Sequence, residues 1–172
     1  MFGVVQIGRD FPFEMRPAMT YKRILVPMDG SSTSKAGLKE ALKLARPGSA
    51  TLFFINVMDE QVAFSSVEMA SSVPAILDAM RGSGNKVLKA AAKTARGKGV
   101  KAQTALVESL GTRVADTIVR HAKRCRADLI VMGTHGRRGM GRLIMGSDAE
   151  LVARYARVPV LLVHERAARK KK

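Results

Sequence analysis

The fold is decided by four successive segments: Asp128-Leu-Ile-Val-Met132, the run Gly133-Thr-His-Gly-Arg-Arg-Gly-Met-Gly-Arg-Leu-Ile-Met-Gly-Ser147, Asp148 to Ala156, and Val158-Pro-Val-Leu-Leu-Val163. The first and last are short, apolar and rich in Val, Ile and Leu, which is typical of strands buried inside a parallel sheet. A helical stretch lies between them. The whole region therefore predicts a strand, a glycine-rich loop, a crossover helix and a second, parallel strand.

The same alternation extends toward the amino terminus. Earlier strands are predicted at Lys22–Pro27, Thr51–Val57 and Val100–Val107, and earlier helices around Ala36–Ala45, Ile76–Ala95 and Val114–Ala122. Strands that alternate with helices of about ten residues or more require crossover connections. The order predicts an α/β fold, with an open, doubly wound, five-stranded parallel sheet and helices on both faces. In such a sheet, ligands bind at the carboxyl ends of the strands.

Length and composition favour one globular domain. The chain has 172 residues, 47% of them hydrophobic and 26% charged, and its single cysteine, Cys125, excludes a disulfide framework and a cysteine-based zinc site. No apolar run approaches the roughly 18 residues of a membrane span, and no basic segment precedes residues 1–7 as in a secretory signal. We expect a cytoplasmic protein with a flexible extension at 1–20, a domain at 21–165 and a basic tail at 166–172.

Positive charge is concentrated in the second part of the chain. The formal net charge is +16; residues 1–80 hold 8 basic and 8 acidic side chains, whereas residues 81–172 hold 22 and 6. This asymmetry indicates an anionic partner for the C-terminal half: a nucleotide, a nucleic acid or an acidic surface. The basic helices lack an aromatic platform for stacking bases, which counts against a specific reader of single strands.

The loop after the fourth strand has the composition of a phosphate cradle. Five glycines and three arginines lie between Gly133 and Ser147, and Gly146-Ser147 opens the next helix. Glycines let backbone amides approach an anion, the helix amino end favours negative charge, and arginines add charged donors. The loop has no Walker sequence. A dinucleotide fingerprint is also absent after the first strand, where the chain reads Met28-Asp29-Gly30-Ser31.

The spacing Gly133-x2-Gly136-x9-Gly146-Ser147 resembles the ATP-binding signature of the universal stress protein family, Gly-x2-Gly-x9-Gly-Ser/Thr, without a gap. Three other segments also look like that family: Lys22-Arg-Ile-Leu-Val-Pro-Met-Asp29, Ala127-Asp-Leu-Ile-Val-Met-Gly133, and Val158 to Val163. The resemblance covers about residues 21–165.

The resemblance implies an adenine nucleotide alpha hydrolase-like fold that holds ATP, or ADP or AMP, at the ends of strands one, two and four. Any Mg²⁺ would be held mainly by the phosphates. It also implies a regulatory stress-response role and a homodimer formed through Val158 to Val163. Carried over by position, the resemblance implies that the adenosine pocket is lined by Pro27, Met28 and Asp29, that adenine is contacted by Val57, and that Met132 and Gly133 lie beside the ribose. It implies that the phosphates are held by Gly136, Gly146, Ser147 and Asp148, together with His135 and Arg137.

Asp148 departs from the family pattern, in which a small apolar residue usually follows the Gly-Ser pair. A carboxylate there would repel a γ-phosphate by on the order of 1 kcal/mol unless Mg²⁺ intervenes. The simpler reading, and the favoured one, is an acidic residue in the first helical turn that points into solvent.

No catalytic arrangement emerges from the remaining candidates. His135 has no neighbouring carboxylate to orient it, so phosphate contact is favoured over acid–base catalysis. His121 is expected on a solvated or half-buried helix face, and Cys125 is either an activated or a buried structural thiol. We expect a binding protein rather than an enzyme, at most a slow ATPase. The alternative is a basic protein that binds nucleic acid or an anionic surface without bound nucleotide.

Overall fold

The computed structural model describes residues 20–45, 49–59, 73–109, 111–136 and 145–164. The strands are β1 (Arg23–Pro27), β2 (Thr51–Met58), β3 (Lys101–Glu108), β4 (Leu129–Gly133) and β5 (Val160–Val163). The helices are α1 (Ser32–Leu44), α2 (Val73–Arg96), α3 (Val114–Arg124) and α4 (Ser147–Tyr155). All neighbouring strands are parallel, in the order β3-β2-β1-β4-β5.

Successive residues of each inner strand face opposite sides of the sheet, and both sides are buried. In β1, Ile24 and Val26 join one apolar core, whereas Leu25 joins the other. Buried residues of α1 and α2 complete the first core, and those of α3 and α4 complete the second. This arrangement explains why the strands are continuously apolar, and it confirms the predicted doubly wound α/β fold.

The topological switch point of the sheet, where the strand order reverses, lies between β1 and β4. The chain moves outward from β1 to β2 and β3, then returns to the other side of β1 to form β4 and β5. The loops that follow β1 and β4 therefore diverge from adjacent strands at the carboxyl edge. A crevice at such a point is where open α/β sheets bind ligands.

At most helix and strand ends, the observed boundary differs from the predicted one by one to four residues. α1 begins at Ser32, before its apolar stripe, because the Ser31 hydroxyl accepts a hydrogen bond from the amide of Ser34 at 3.1 Å and caps the helix. β5 begins only at Val160, since the preceding Pro159 has no amide hydrogen to donate. Residues 60–72, Arg137, the predicted tail at 166–172 and, apart from Thr20, the predicted extension at 1–20 lie outside the described residues.

Within the described ranges, no helix is both long enough and apolar enough to cross a membrane.

Candidate functional site

The turn after β1 fixes the Asp29 carboxylate. Met28 is anchored on both sides: its amide donates to the carbonyl of Ile55 at 2.7 Å, and its carbonyl accepts from Asn56 Nδ2 at 2.6 Å. Oδ1 of Asp29 then accepts hydrogen bonds from both the amide and the hydroxyl of Ser31, at 3.0 and 2.6 Å. Ser31, not Asp29, is the helix cap, so the Asp29 carboxylate belongs to the loop between β1 and α1.

Thr33 joins the amino end of α1 to the end of β4. Its hydroxyl donates to the carbonyl of His135. A Cβ atom added to Gly133 would lie 2.8 Å from the backbone carbon of Thr33, closer than real side chains come. Glycine at position 133 therefore permits this approach of helix to strand, which is one physical reason for the first glycine of the motif.

The two ends of the glycine-rich loop meet. The amide of Gly146 donates to the carbonyl of Thr134 at 2.9 Å, so the described residues on either side of the glycine-rich loop are held together. A Cβ atom on Gly136 would lie 3.1 Å from Oδ2 of Asp29. The backbone at Gly136 thus passes directly over the carboxylate of the β1 loop, and the geometry brings both predicted halves of the site together.

The amino end of α4 completes this edge. Gly146 is its N-cap residue and supplies no side chain to cap the first-turn amides. Because the Gly146 amide is already bonded to Thr134, this residue would serve a phosphate by leaving space rather than by donating. Ser147 and Asp148 then follow in the first turn, where amides point toward the helix amino end.

A buried hydroxyl links two histidines beside the loop. Thr134 is 1% exposed, and its Oγ1 lies 3.0 Å from Nδ1 of both His135 and His164. The hydroxyl carries one proton, so it donates to one of these nitrogens and accepts from the other. The ring orientation of His135 is therefore set jointly by Thr134 and, through it, by His164.

The predicted site residues differ in what they can offer a ligand. Met28 and Met132 are buried side chains of the two cores, so only their backbone can face the crevice. Val57 is half-buried and packs against the core on the α3–α4 side. Half-buried positions are Pro27, Asp29, His135, Gly146 and Asp148; Gly133 is buried, and Gly136 and Ser147 are exposed.

Three residues that organise the site were missed by the sequence reasoning: Thr33, Asn56 and Thr134. Asn56 carried a signal, since it is the single polar side chain near the end of an otherwise apolar strand, where an amide needs a partner. Thr33 lies in the run Ser31-Ser32-Thr33-Ser34, where nothing in the sequence distinguishes it from the neighbouring hydroxyl residues. Nothing local distinguished Thr134, whose partner His164 is distant in sequence.

The structure corrects the prediction for His121 and decides between the two interpretations of Cys125. The prediction for His121 was wrong: the residue is 8% exposed, and burial, with the nearby charge of Arg124, lowers its imidazole pKa. Burial raises the pKa of the Cys125 thiol despite the neighbouring Arg23 and Arg124 charges, which favours the structural interpretation over an activated thiol. In the described part of the chain, no three His, Cys, Asp or Glu side chains are grouped to hold a metal ion.

Comparison with known proteins gives a consistent result. The model of the Universal stress protein family matches residues 20–164. The universal stress protein MJ0531 of Methanocaldococcus jannaschii is 37% identical over 143 residues, which cover 83% of this chain and 82% of that protein. A crystal structure of a universal stress protein family member from Burkholderia pseudomallei is 36% identical, with a TM-score of 0.67 over 86% of this chain and 98% of that one. The hypothetical protein MJ0577 is 23% identical, with a TM-score of 0.77 over 87% and 99%, and so shows the fold.

Other proteins of this fold have been solved with adenine nucleotides. A universal stress protein family protein from Arabidopsis thaliana, 15% identical with a TM-score of 0.63 over 88% of this chain and 96% of that one, has AMP bound. The protein from Archaeoglobus fulgidus is in complex with dAMP, with 23% identity and a TM-score of 0.58 over 84% and 99%. A further universal stress protein, with 23% identity and a TM-score of 0.58 over 84% and 98%, is in complex with cAMP.

Proposed function

The chain belongs to the universal stress protein family, and from this premise we propose that it binds an adenine nucleotide, with ATP as the expected ligand, and acts as a regulatory stress-response protein. One observation carries the proposal. Gly136 and Gly146, at the spacing of the family's ATP signature, close onto the Asp29 carboxylate and the amino end of α4 at the carboxyl edge of the sheet. The bound AMP, dAMP and cAMP of other proteins with this fold support the choice of an adenine nucleotide.

The nucleoside would lie over the ends of β1 and β2. Ser31 holds the Asp29 carboxylate in the loop between β1 and α1, where it can accept hydrogen bonds from ribose hydroxyls or an exocyclic amine. Pro27 and Val57 are half-buried at the ends of their strands and would provide apolar contact for the base. The backbone of Met28, Met132 and Gly133 would form the floor of this pocket.

The phosphates would lie between the glycine-rich loop and α4. Exposed Gly136 and Ser147 leave room for them, and the first turn of α4 adds a positive dipole end. His135, oriented by Thr134, would contribute a ring nitrogen, and Arg137 a charged donor. Asp148 lies half-buried in the same first turn; with triphosphate present, a Mg²⁺ ion held mainly by the phosphates would relieve its repulsion.

The proposed role is binding rather than turnover, with at most slow hydrolysis of ATP. Binding would order the loop after β4 and so alter the surface seen by a partner. The described contacts favour holding a ligand over activating water, because Oδ1 of Asp29 accepts hydrogen bonds from Ser31 and Nδ1 of His135 lies 3.0 Å from the Thr134 hydroxyl.

The proposal of nucleotide binding is tested by identifying the small molecules that the purified protein carries. We expect denaturation followed by mass spectrometry to release ATP or ADP at about one molecule per chain, since the charge-assisted contacts of a phosphate cradle favour slow dissociation. A preparation without nucleotide is then titrated with ATP. Failure to bind ATP in both measurements would refute the proposal.

We also propose that the chain forms a homodimer through the edge strand β5 and the residues just before it, Val158 to Val163. β5 pairs only with β4 in the described sheet, and its Leu161 side chain is 38% exposed. An apolar side chain on an open strand edge is a site for association. We expect the wild type to have a mass near twice the 18.6 kDa of the chain, and Leu161→Lys to halve it, by light scattering. A monomeric wild type, or an unchanged Leu161→Lys dimer, would contradict this interface.

An anionic partner for the basic C-terminal half remains a second proposal, and one observation favours it. Among the described residues, Lys43, Arg81 and Arg154 form salt bridges with acidic side chains, whereas most of the described basic side chains after residue 81 take part in none.

A further inference from the structure

The amino end of the sheet, opposite the nucleotide site, carries a groove lined by cations. One cavity of about 320 Å³ is lined by Arg23, Gln103 and Arg124, with Phe53 and Thr104 among its other walls. A second, of about 430 Å³, is lined by Arg96, Lys101 and, again, Gln103. The two cavities share Gln103, on the edge strand β3, as a lining residue, so they lie next to each other. We call the surface formed by Arg23, Arg96, Lys101, Gln103 and Arg124 the basic groove.

Among the described residues, the four cations of the basic groove have no carboxylate partner. None of them takes part in a salt bridge in the described part of the chain, and no acidic residue is among the described residues that line either cavity. Arg23 donates from Nε to the carbonyl of Cys125 at 2.6 Å, and Arg124 contacts His121 Nδ1 at 3.2 Å. These contacts position the guanidinium groups without neutralising them.

Acidic side chains near this end of the sheet are directed elsewhere. The Asp128 carboxylate accepts the backbone amides of Lys22 and Arg23, at 2.7 and 3.0 Å. The carboxyl ends of α2 and α3 also lie here, each equivalent to about half a negative charge. Four full positive charges outweigh these two half charges and the single negative charge of Asp128. Exposed Lys98 and Arg126, just beyond the helix ends, add to the excess.

The lining of the groove suits phosphate groups better than a protein or a lipid surface. Protein interfaces and membrane-binding faces depend on apolar or aromatic anchors. The large exposed apolar side chains of the described residues are Leu44, Met145, Tyr155 and Leu161, and none lines the groove. Instead, the exposed Gln103, which lines both cavities, places a side-chain amide among the cations. Such donors, together with Arg and Lys, make most contacts to phosphate oxygens in nucleic-acid complexes.

The two phenylalanines that line the first cavity, Phe53 and the fully buried Phe54, cannot serve as a stacking platform for bases. Phe53 is 6% exposed, and the Arg23 guanidinium lies over its ring at 4.7 Å from the centroid. Proteins that bind single strands without sequence preference rely on exposed rings of this kind. A duplex requires none, and it presents about one charge per 1.7 Å of its axis to a row of cations.

We propose that the basic groove binds the phosphate backbone of a double-stranded nucleic acid without sequence preference. The site lies at the amino end of β1 and β3, whereas the proposed nucleotide site lies at the carboxyl ends of β1 and β4. The inference therefore does not rest on nucleotide binding, and either site can fail without the other.

The test compares two double variants that reverse the same number of charges, one within the basic groove and one outside it. Arg96→Glu with Lys101→Glu changes two exposed groove residues, and Lys35→Glu with Lys39→Glu changes two exposed residues of α1. Fluorescence anisotropy with a labelled DNA duplex of about 20 base pairs, in full-length protein between about 50 and 200 mM salt, measures affinity and its salt slope. Circular dichroism and thermal melting verify the fold, and nucleotide content is measured on the same preparations.

We expect the groove variant to lose at least about tenfold in duplex affinity at 100 mM salt and to flatten the log–log salt slope by about 1.8, the value for two phosphate contacts. The α1 variant should stay within about twofold of wild type in affinity, and nucleotide content should be unchanged in both. Equal losses in both variants would mean diffuse attraction and would overturn the proposal. It would also be overturned by undetectable duplex binding of the wild type at 50 mM salt, or by tighter groove-dependent binding to a single strand, to polyglutamate or to phosphatidylserine vesicles.

Discussion

Replacement of Gly84 by valine is expected to lower the free energy of unfolding by about 3 kcal/mol, whereas the same replacement at Gly82 should change it by less than about 0.5 kcal/mol. Both glycines lie in α2, two residues apart, and both gain the same side chain. A Cβ atom at Gly84 would lie 2.5 Å from Asn56 Oδ1 and 2.6 Å from Leu106 Cδ1, whereas one at Gly82 meets nothing within 4 Å. Urea denaturation of the two variants measures the difference.

The reason for the large effect is that α2 packs on β2 and β3 at Gly84. The buried Asn56 amide cannot simply move aside, since its Nδ2 holds the carbonyl of Met28 in the turn that leads to Asp29. Valine at position 84 must therefore push the helix away from the sheet or break that hydrogen bond, and the second route would also weaken nucleotide binding. If the Gly84 and Gly82 variants unfold at the same urea concentration, the close approach of helix to sheet is not a constraint on stability.

The fold could be predicted because its signals are local and repeated. Each strand is an apolar run and each helix an amphipathic one, and the alternation leaves few topologies for a parallel sheet. In α2, Gly84, Leu88, Ala91 and Ala95 recur at helical spacing and are buried. The errors concern the ends of elements. The apolar run of the last strand begins at Val158, but β5 begins only at Val160, because Pro159 has no amide hydrogen to donate to β4.

For the candidate site, the sequence predicted which backbone segments come together at the carboxyl edge of the sheet, but not the contacts between their side chains. The glycine spacing identified Gly136 and Gly146 because it constrains the chain within one loop. The meeting of Thr33 with His135, and of Thr134 with His164, depends on which segments the sheet brings together, and each residue alone is an ordinary polar one. Met28 and Met132 show the converse: their positions were identified from the family pattern, yet the sheet buries their side chains in the cores.

The basic groove illustrates the same limit for charge. The excess of Lys and Arg after residue 81 was plain in the sequence, but its location was not. Arg23 belongs to the neutral first part of the chain and meets Arg124 only because β1 lies near the end of α3. The groove is created by topology: in a parallel sheet, the helices end where the strands begin, so basic last turns of different helices gather on one edge.

Replacement of Gly146 by valine is expected to lower ATP affinity by about 100-fold, the equivalent of two charge-assisted hydrogen bonds, while the protein stays folded. Gly146 has φ of −64° and ψ of 145°, an extended conformation that valine adopts readily. An added Cβ atom would lie 3.2 Å from the Thr134 carbonyl, which requires a shift of only a few tenths of an ångström. The cost to stability should therefore be modest, and the branched side chain would instead occupy the space before the first-turn amides of α4.

Adenosine provides the control that separates the phosphate site from the rest of the pocket. If Gly146 serves the phosphates, Gly146→Val should lose affinity for ATP but keep nearly all of its affinity for adenosine, which needs only the region around Asp29. Gly146→Ala should fall between wild type and valine, because a single methyl group fills less of the same space. Calorimetric titration of the three proteins with both ligands measures these differences. Unchanged ATP affinity in a folded Gly146→Val protein would refute the phosphate assignment, and an equal loss for adenosine would mean that the substitution distorts the whole crevice rather than excluding phosphate.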